Sequence, residues 1–480
     1  MSKTLSIIVV TLLLSLGAVN SYAGYNDARK HYYSRSNKSS YKSLFAISRE
    51  LTKSGLYFAA VPFLKEYLVR FPKFKSDQLD RLVERLVDRV GIRQFEVMPI
   101  NVLARINTPT IRYVLSKKLF RQRKFKAALK ELRSGIPMTH SIKPFALMIT
   151  ASIETILKQH KDAAKSYQIC IARSNLALKK GGLTGQKKRQ LTITRDYCLV
   201  GVARSTFSYG NYQDANLNYL DLEKGSHIWP EILFEEAWNS FYLKDYNRTL
   251  GKLVTYKAPI FTHIVNPEIE VLKALTYLEL CLWDDARNAV DTFYNKHKKK
   301  SDQLIKYVKN HYRDYRHFYL LTKSRTEGAK GKGKIIDKIV ESIIRDPAYG
   351  EMLIAFQGGR DEFAVLKSFP ADKFKKEVKS NLQSALLLQR DLIGAYAQKV
   401  FRQQARDFKK MLVNMSYIKL EVLSRRKSDI YMNVSDTDGK RGDFQHLLRN
   451  EKQYFWNFNG EFWADELGDY VFALRSECRQ

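Results

Sequence analysis

A recurring pair of residues, one aromatic and one small, limits what this chain can fold into. The aromatic residue precedes the small one by three positions in Tyr57 and Ala60, Phe125 and Ala128, Tyr212 and Ala215, Tyr246 and Thr249, and Trp283 and Ala286. Twelve residues before each small residue lies a second one: Ser48, Ser116, Ala203, Ala237 and Ala274. Four residues after it lies an apolar or aromatic one: Leu64, Leu132, Tyr219, Leu253 and Val290. Small residues where two helices cross, beside large residues that fill the groove, indicate a series of helical hairpins.

The intervals between the small residues agree with a single repeat length. They are 68 residues from Ala60 to Ala128, 36 from Ala128 to Ala164, 34 from Ala215 to Thr249 and 37 from Thr249 to Ala286. A sixth unit is included here, with Ser152 and Ala164 as its small residues and His160 near the aromatic position. A period near 34 residues is typical of the tetratricopeptide repeat, a helical hairpin that stacks on its neighbours. The alternative is a helical protein in which Ala and Tyr share these spacings by chance.

The pattern therefore predicts an all-α fold with a tetratricopeptide-like solenoid of helical hairpins over residues 24–322. The Gly- and Lys-rich segment Lys179–Gln190 lies in the 51-residue gap between Ala164 and Ala215, and we expect it to be an exposed loop. We expect residues 323–334 to form a basic Gly/Lys joint and residues 335–480 to form a helical C-terminal module. A hydrophobic content of 45% and only 11 prolines are suited to a large helical core.

The C-terminal module is expected to contain a long helix and a small aromatic-rich cap. Between residues 372 and 424 there is no proline, and apolar residues recur at helical steps: 374, 378, 382, 385, 392, 396, 400, 408, 411, 415, 418 and 422. This stripe predicts one long helix, or two stacked ones, that packs on the solenoid or else self-associates as a coiled coil. The aromatic residues near the C-terminus predict an ordered cap or, alternatively, a peptide-binding cluster; they are Tyr454, Phe455, Trp456, Phe458, Phe462, Trp463 and Tyr470.

The N-terminus has the pattern of a cleaved export signal over residues 1–23. The apolar stretch Leu5–Leu16 follows Lys3, and small residues at the cleavage positions end at Ala23. This stretch is short for a membrane-spanning helix, which needs about 20 apolar residues. We therefore expect a periplasmic protein that begins near Gly24 and has no membrane span.

The chain is strongly basic, with 82 Lys and Arg against 49 Asp and Glu and a net charge of +33. Such a charge often accompanies nucleic-acid binding, but export and the lack of a recognition motif argue against nucleic acid as a partner. Acidic proteins, peptidoglycan carboxylates and lipid phosphates remain as anionic partners, and a surface that only keeps the protein soluble is the alternative. The charge is concentrated in residues 295–345, where we expect Ser301–Thr322 to form one helix. Four lysines there form a candidate patch for an anionic partner: Lys296, Lys298, Lys299 and Lys300.

Two sequence patterns near the joint resemble catalytic motifs. Gly328–Lys334 fits a phosphate-binding loop, but Ile335 stands where that motif has Ser or Thr. The sequence around Glu341 weakly resembles the motif that contains the catalytic acid of lytic transglycosylases. A general acid of this kind needs a partly desolvated carboxyl group. Both patterns lack the rest of their motifs. We therefore expect Glu341 to be a surface residue, and we expect no catalytic residue and no cofactor.

A metal site is not expected either. The nine His residues are scattered, and there is neither an HExxH motif nor a closely spaced Cys pair. Asp436, Asp438 and Asp443 resemble a calcium-binding loop, but Val434 occupies the position of the first carboxylate ligand. Asp438 with the glycine that follows it is expected to form a tight turn.

Three segments of the chain resemble a known family. They are Phe234–Phe261 (FEEAWNSFYLKDYNRTLGKLVTYKAPIF), Asn266–Ala286 (NPEIEVLKALTYLELCLWDDA) and Phe458–Cys478 (FNGEFWADELGDYVFALRSEC). All three look like the adventurous-gliding-motility tetratricopeptide proteins of deltaproteobacteria and similar predicted periplasmic proteins of their predatory relatives. The resemblance implies a periplasmic scaffold in an envelope-spanning machine.

Four cysteines are available for disulfides in an oxidising compartment, and three connectivities are possible. Cys281 and Cys478 both lie in segments that carry the family resemblance, which favours a bond between these two. Cys170 is expected on the second helix of one unit and Cys198 near the first helix of the next, so this pair is the other candidate. The alternative is four reduced thiols that are buried as small apolar residues.

Together these features predict a non-catalytic periplasmic scaffold that binds other envelope proteins. The expected partner segment is acidic, and stacked hairpins provide a curved surface that can hold it. A gliding-motility-type assembly or a general role in envelope assembly would both suit such a scaffold. The alternative is a peptidoglycan-binding or lytic-transglycosylase-like enzyme that uses Glu341.

Overall fold

The computed structural model describes residues 23–34, 40–71, 77–329, 331, 334–431, 451 and 458–478. Most of the expected export signal, residues 1–22, lies outside the described residues. So do the calcium-like loop with Asp436, Asp438 and Asp443 and the aromatic residues Tyr454, Phe455 and Trp456.

The described residues are predominantly α-helical and contain no strand, which confirms the predicted all-α fold. The helices are α1 (residues 23–33), α2 (Ser40–Lys53), α3 (Tyr57–Arg70), α4 (Asp77–Val90), α5 (Arg93–Glu96), α6 (Ile100–Arg105), α7 (Pro109–Arg121), α8 (Phe125–Ser134), α9 (Lys143–Ile156), α10 (His160–Lys179), α11 (Gly185–Ser208), α12 (Tyr212–Leu220), α13 (Trp229–Tyr242), α14 (Tyr246–Val254), α15 (Glu268–Glu279), α16 (Trp283–Asn310), α17 (Tyr315–Thr326), α18 (Lys334–Arg345), α19 (Pro347–Lys367) and α20 (Lys373–Tyr431). Among the described helices, none is both long and apolar enough to cross a lipid bilayer.

Helical hairpins form where the aromatic and small residues predicted them. The pairs α2–α3, α7–α8, α9–α10, α13–α14 and α15–α16 pack against each other. In each hairpin of the pattern, the second helix begins at the aromatic position. The small residues at the crossings are fully buried: Ser48, Ala60, Ser116, Ala128, Ala203, Ala215, Ala237, Thr249, Ala274 and Ala286. A side chain larger than these would hold the two helices apart, so the small residues set how closely each hairpin packs.

The predicted packing residues of the sixth hairpin are wrong by one position. Ala163 is fully buried, whereas Ala164 is only partly buried. The reason is that α10 begins at His160, so the small residue three positions later is Ala163. Ala151, twelve residues before Ala163, is also fully buried and takes the place predicted for Ser152.

The turns of these hairpins share one backbone conformation. The second residue before each second helix has a positive φ: 79° at Gly55, 59° at Arg123, 62° at Lys158, 89° at Gly210, 62° at Lys244 and 58° at Cys281. The next residue then donates its N–H to a carbonyl five residues earlier, as in the bond from Leu56 to Leu51 (2.9 Å) and that from Leu282 to Tyr277 (2.9 Å). This is the Schellman motif, in which a right-handed helix ends at a residue with left-handed backbone angles. It turns the chain back on itself within three residues.

Two expectations for the connecting segments are wrong. Lys179–Gln190 is not one loop, because α10 continues to Lys179 and α11 already begins at Gly185. The expected single helix Ser301–Thr322 is interrupted, since α16 ends at Asn310 and α17 begins at Tyr315. The interruption also has a positive φ two residues before its second helix, 62° at Arg313, but here the N–H of Asp314 donates to the carbonyl oxygen of His311, three residues earlier (3.2 Å).

The chain divides into two compact units. The first unit is Met1–Arg195 with Pro347–Ile393, and the second unit is Asp196–Asp346 with Gly394–Gln480. The expected joint at residues 323–334 therefore falls inside the second unit. The expected C-terminal module, residues 335–480, supplies buried residues to the hydrophobic cores of both units, where they pack with residues of the hairpins.

The long C-terminal helix is confirmed as a single helix, α20, and its apolar stripe packs on hairpins. In the first unit Phe374, Val378 and Leu382 are buried in the core that α3 and α4 form. In the second unit Met411, Met415, Ile418 and Val422 are buried against α15 and α16. The middle of the predicted stripe is wrong by one position, because Ile393, Ala397 and Phe401 are buried in place of residues 392, 396 and 400.

Candidate protein-binding surface of the second unit

The C-terminal residues 458–478 form an extended segment that lies along the hairpins of the second unit. None of these residues is helical. They contact α13, α14 and the turn between α15 and α16 through main-chain hydrogen bonds and apolar side chains. This segment is the described part of the expected aromatic-rich cap. It lies on the repeat hairpins, not on a separate C-terminal module.

Asn247 on α14 holds the main chain of this segment. Its side-chain Nδ2 donates to the carbonyl oxygen of Leu474 (3.0 Å), and its Oδ1 accepts from the N–H of the same residue (2.9 Å). The carbonyl oxygen of Asn247 also accepts from the N–H of Phe472 (3.1 Å). An amide side chain has both a donor and an acceptor, so it can pair with an extended backbone as a neighbouring strand would. Recognition of this kind depends on the backbone of the bound segment and not on its sequence.

Two further main-chain bonds position the segment. The N–H of Gly468 donates to Oγ1 of Thr255 (3.2 Å), and the N–H of Glu477 donates to the carbonyl oxygen of Leu280 (2.9 Å). Between them the backbone passes directly over Gly251 on α14. A Cβ atom at residue 251 would lie 1.6 Å from the carbonyl oxygen of Tyr470, so only glycine fits there. A glycine inside a helix was the sequence signal for this close approach, and it was missed.

Apolar side chains of the segment fill sites on the hairpins. Leu467 is buried with Trp229 and Phe261, and Phe472 and Leu474 pack against Leu250. The rings of Phe458, Phe462 and Tyr470 contact one another with centroids 5.4–5.9 Å apart. Trp463, by contrast, is 61% exposed. Main-chain hydrogen bonds and apolar side chains together hold the segment: Leu467 is buried, and Phe472 and Leu474 are partly buried.

A disulfide fastens the end of the segment to the hairpins. Cys281, in the turn between α15 and α16, is bonded to Cys478 across 197 residues of sequence, as predicted. Cys170 and Cys198 are disulfide-bonded as well, and no cysteine is free. The alternative of four reduced thiols is therefore wrong.

The candidate lysine patch lies on α16 in the second unit. Lys296 is 3.4 Å from a carboxylate oxygen of Glu270, whereas Lys298 and Lys299 are exposed and Lys300 is partly exposed. Burial, together with the charges of Lys296 and Lys300, lowers the pKa of the His297 imidazole to about 4. The histidine therefore adds no positive charge at neutral pH, and the patch owes its charge to the lysines.

The candidate general acid Glu341 lies in a network of ion pairs. A carboxylate oxygen of Glu341 accepts from the guanidinium of Arg345 at 3.1 Å, and Arg325 lies 3.6 Å away. The geometry at Glu341 therefore resembles a structural ion pair.

No protein-family model matches the sequence, and no curated protein matches it either.

Proposed function

We propose that this chain is a non-catalytic scaffold whose helical hairpins bind extended segments of protein partners. The observation that carries the proposal is the C-terminal segment, which the second unit holds by main-chain hydrogen bonds at Asn247, Thr255 and Leu280. These contacts do not depend on the side chains of the bound segment. A surface of this chemistry is suited to extended segments of other proteins.

The partner segment is acidic in this proposal, and the site of action is the periplasm. The net charge of +33 and the exposed lysines of α16 favour an acidic partner. Two features support the periplasm: all four cysteines are in disulfides, and the N-terminal sequence has the pattern of an export signal. The resemblance of three segments to gliding-motility repeat proteins supports a role in an envelope-spanning assembly. This assembly is of the gliding-motility type or serves general envelope assembly.

A test of the proposal is photo-crosslinking of the full chain in intact cells. Two variants remove the same amount of positive charge. The patch variant replaces Lys296, Lys298, Lys299 and Lys300 by Gln. The control variant replaces the exposed residues Lys124, Lys126, Lys130 and Lys165 by Gln. We expect a crosslinked envelope protein with the wild type and the control, and a loss of this product with the patch variant. Equal crosslinking by both variants would contradict the role of the patch.

Binding to peptidoglycan is the second candidate, and the same lysines favour it because peptidoglycan carries carboxylates. Purified protein would then pellet with cell-wall sacculi in a manner that salt weakens, and the patch variant would pellet less than the control. A lytic enzyme would instead release soluble fragments from the sacculi, and Glu341→Gln would abolish the release. That last result would overturn the scaffold proposal.

A further inference from the structure

Three arginines of α4 line a cleft in the first unit, which we call the arginine cleft. Arg81, Arg85 and Arg89 follow one another at intervals of four residues, so each lies about 6 Å along the helix from the next and on the same face. The cleft has a volume of about 360 Å³, and Gln186 and Lys187 at the start of α11 line it as well. This volume is within the range of about 300–1,000 Å³ that is usual for ligand sites.

The arginine cleft has more positive than negative charge. Four basic side chains line it against two acidic ones, Glu84 and Asp88. Both carboxylates already have partners within the first unit. Asp88 accepts from Nζ of Lys187 at 2.9 Å, and Glu84 accepts from the hydroxyl group of Ser141. The acidic groups of the cleft are therefore held by other residues, and the charge of the three arginines is left to attract an anion.

The three guanidinium groups have no acidic partner of their own. Arg81, Arg85 and Arg89 are exposed, and within the described part of the chain no side chain forms an ion pair or a hydrogen bond with any of them. Arg89 lies over the ring of Tyr57, with 5.4 Å between the guanidinium carbon and the ring centroid. Like charges one helical turn apart repel each other, so a row of three favours a bound anion more than a single arginine does.

We propose that the arginine cleft binds an extended acidic segment of a partner protein in which every second residue is Asp or Glu. Alternate side chains of an extended chain point to the same side and are roughly 6.5 Å apart, which is close to the spacing of the arginines along α4. Each carboxylate can then accept two N–H groups from one guanidinium. The inference rests on the proposed scaffold function, and it adds a site for acidic segments in the first unit to the lysines of α16 in the second.

The test measures binding of fluorescent peptides to the full chain by fluorescence anisotropy. Two peptides have the same length and equal numbers of Glu and Ser; these residues alternate singly in one peptide and in pairs in the other. The protein carries Gln at Lys296, Lys298, Lys299 and Lys300, so binding reports on the arginine cleft and not on α16. We expect the singly alternating peptide to bind more tightly, because only its glutamates match the spacing of the arginines, and we expect salt to weaken this binding.

Substitution of the three arginines tests their role directly. Arg81→Gln, Arg85→Gln and Arg89→Gln combined should weaken binding of the singly alternating peptide about tenfold, as expected for the loss of three exposed ion pairs. Lysine at the same three positions keeps the charge but not the paired N–H donors, so it should restore only part of the affinity.

The matched control replaces three exposed lysines of the same unit by Gln: Lys124, Lys126 and Lys130. This control should bind the peptide as its parent does, and circular dichroism should show that all variants are equally helical. If the arginine-to-glutamine variant binds as its parent does, or if both peptides bind equally well, the proposal is wrong. A single-stranded oligonucleotide that binds the cleft more tightly than the peptide would also overturn it. None of these outcomes changes the crosslinking expected at the α16 lysines, so the proposed function is tested separately.

Discussion

Hairpin α2–α3 of the first unit and hairpin α13–α14 of the second have the same local pattern, yet distant residues support them in different ways. Helix α3 begins after Leu56, which has no side chain that can cap it. The buried Glu362 of α19 takes this role and accepts the N–H groups of Phe58 (2.8 Å) and Ala59 (3.1 Å). Helix α14 is capped by its own Asp245, and the C-terminal segment lies along its side.

The difference shows that a hairpin can receive long-range support at its end or along its face. In the first unit a single buried carboxyl group completes the helix start, so the support depends on that one group. In the second unit several main-chain bonds and a disulfide share the support, so it depends on keeping the segment in place. The predictions below separate these two modes.

The largest effect is expected from loss of the Cys281–Cys478 bond. Replacing both residues by Ala removes a crosslink that closes a loop of 197 residues. In the chain-entropy account such a crosslink stabilises the folded state by about 5 kcal/mol, because it restricts the unfolded chain. Urea unfolding should show this loss in the second unit. An unchanged free energy of unfolding would mean that the hairpins do not need the fastened segment.

The first unit should respond to pH through Glu362. Burial raises the pKa of its carboxyl group to about 8, above the ordinary value of 4.5. Between about pH 4.5 and pH 8 the folded protein keeps a proton on Glu362 that the unfolded chain has lost. The free energy of unfolding should therefore fall as the pH rises through this range. The slope is at most about 1.4 kcal/mol per pH unit.

Glu362→Gln provides the measurement for this prediction. The amide keeps an acceptor for the N–H of Phe58 but does not titrate, so its free energy of unfolding should lack this pH dependence. Parallel pH curves for the variant and the wild type, measured by urea unfolding, would contradict the prediction.

A smaller effect tests the packing of the hairpins and the corrected position in α10. Ala163→Phe places a large ring at a fully buried crossing, and overpacking costs about 1–3 kcal/mol. Ala164→Phe, one residue further, is the matched control and should change stability by less than about 0.5 kcal/mol. Thermal melts of both variants decide between the two positions. Equal losses would show that neither residue alone lies at the crossing.

The smallest effect concerns the left-handed turns that both units share. Gly210→Ala adds a Cβ at a φ of 89°, which should lower stability by about 1–2 kcal/mol. The reverse change, Lys244→Gly, occurs in the corresponding turn at a φ of 62° and should cause no loss. Thermal melts provide the measurement. A larger loss for Lys244→Gly than for Gly210→Ala would refute the shared role of these turns.

Local spacing in the sequence was enough to predict most of the helical hairpins. Tyr212 and Ala215 are neighbours on one face of a helix, so their spacing reports the helix and its crossing directly. The same holds for the apolar stripe of α20, which needed no knowledge of its partner helices. The pairing of Cys281 with Cys478 was also predicted, but from the resemblance of two segments to a known family and not from spacing.

Tertiary structure alone decided the features that depend on residues far apart in sequence. Asn247 meets Leu474 across 227 residues, and Glu362 meets Phe58 across 304, so no periodicity could reveal either contact. The break between α16 and α17 depended on one left-handed residue, Arg313, in a stretch that otherwise reads as helix. Side-chain patterns report which residues are buried. Tertiary packing decides which distant segment covers these buried residues, because many segments of the chain have a surface that could cover them.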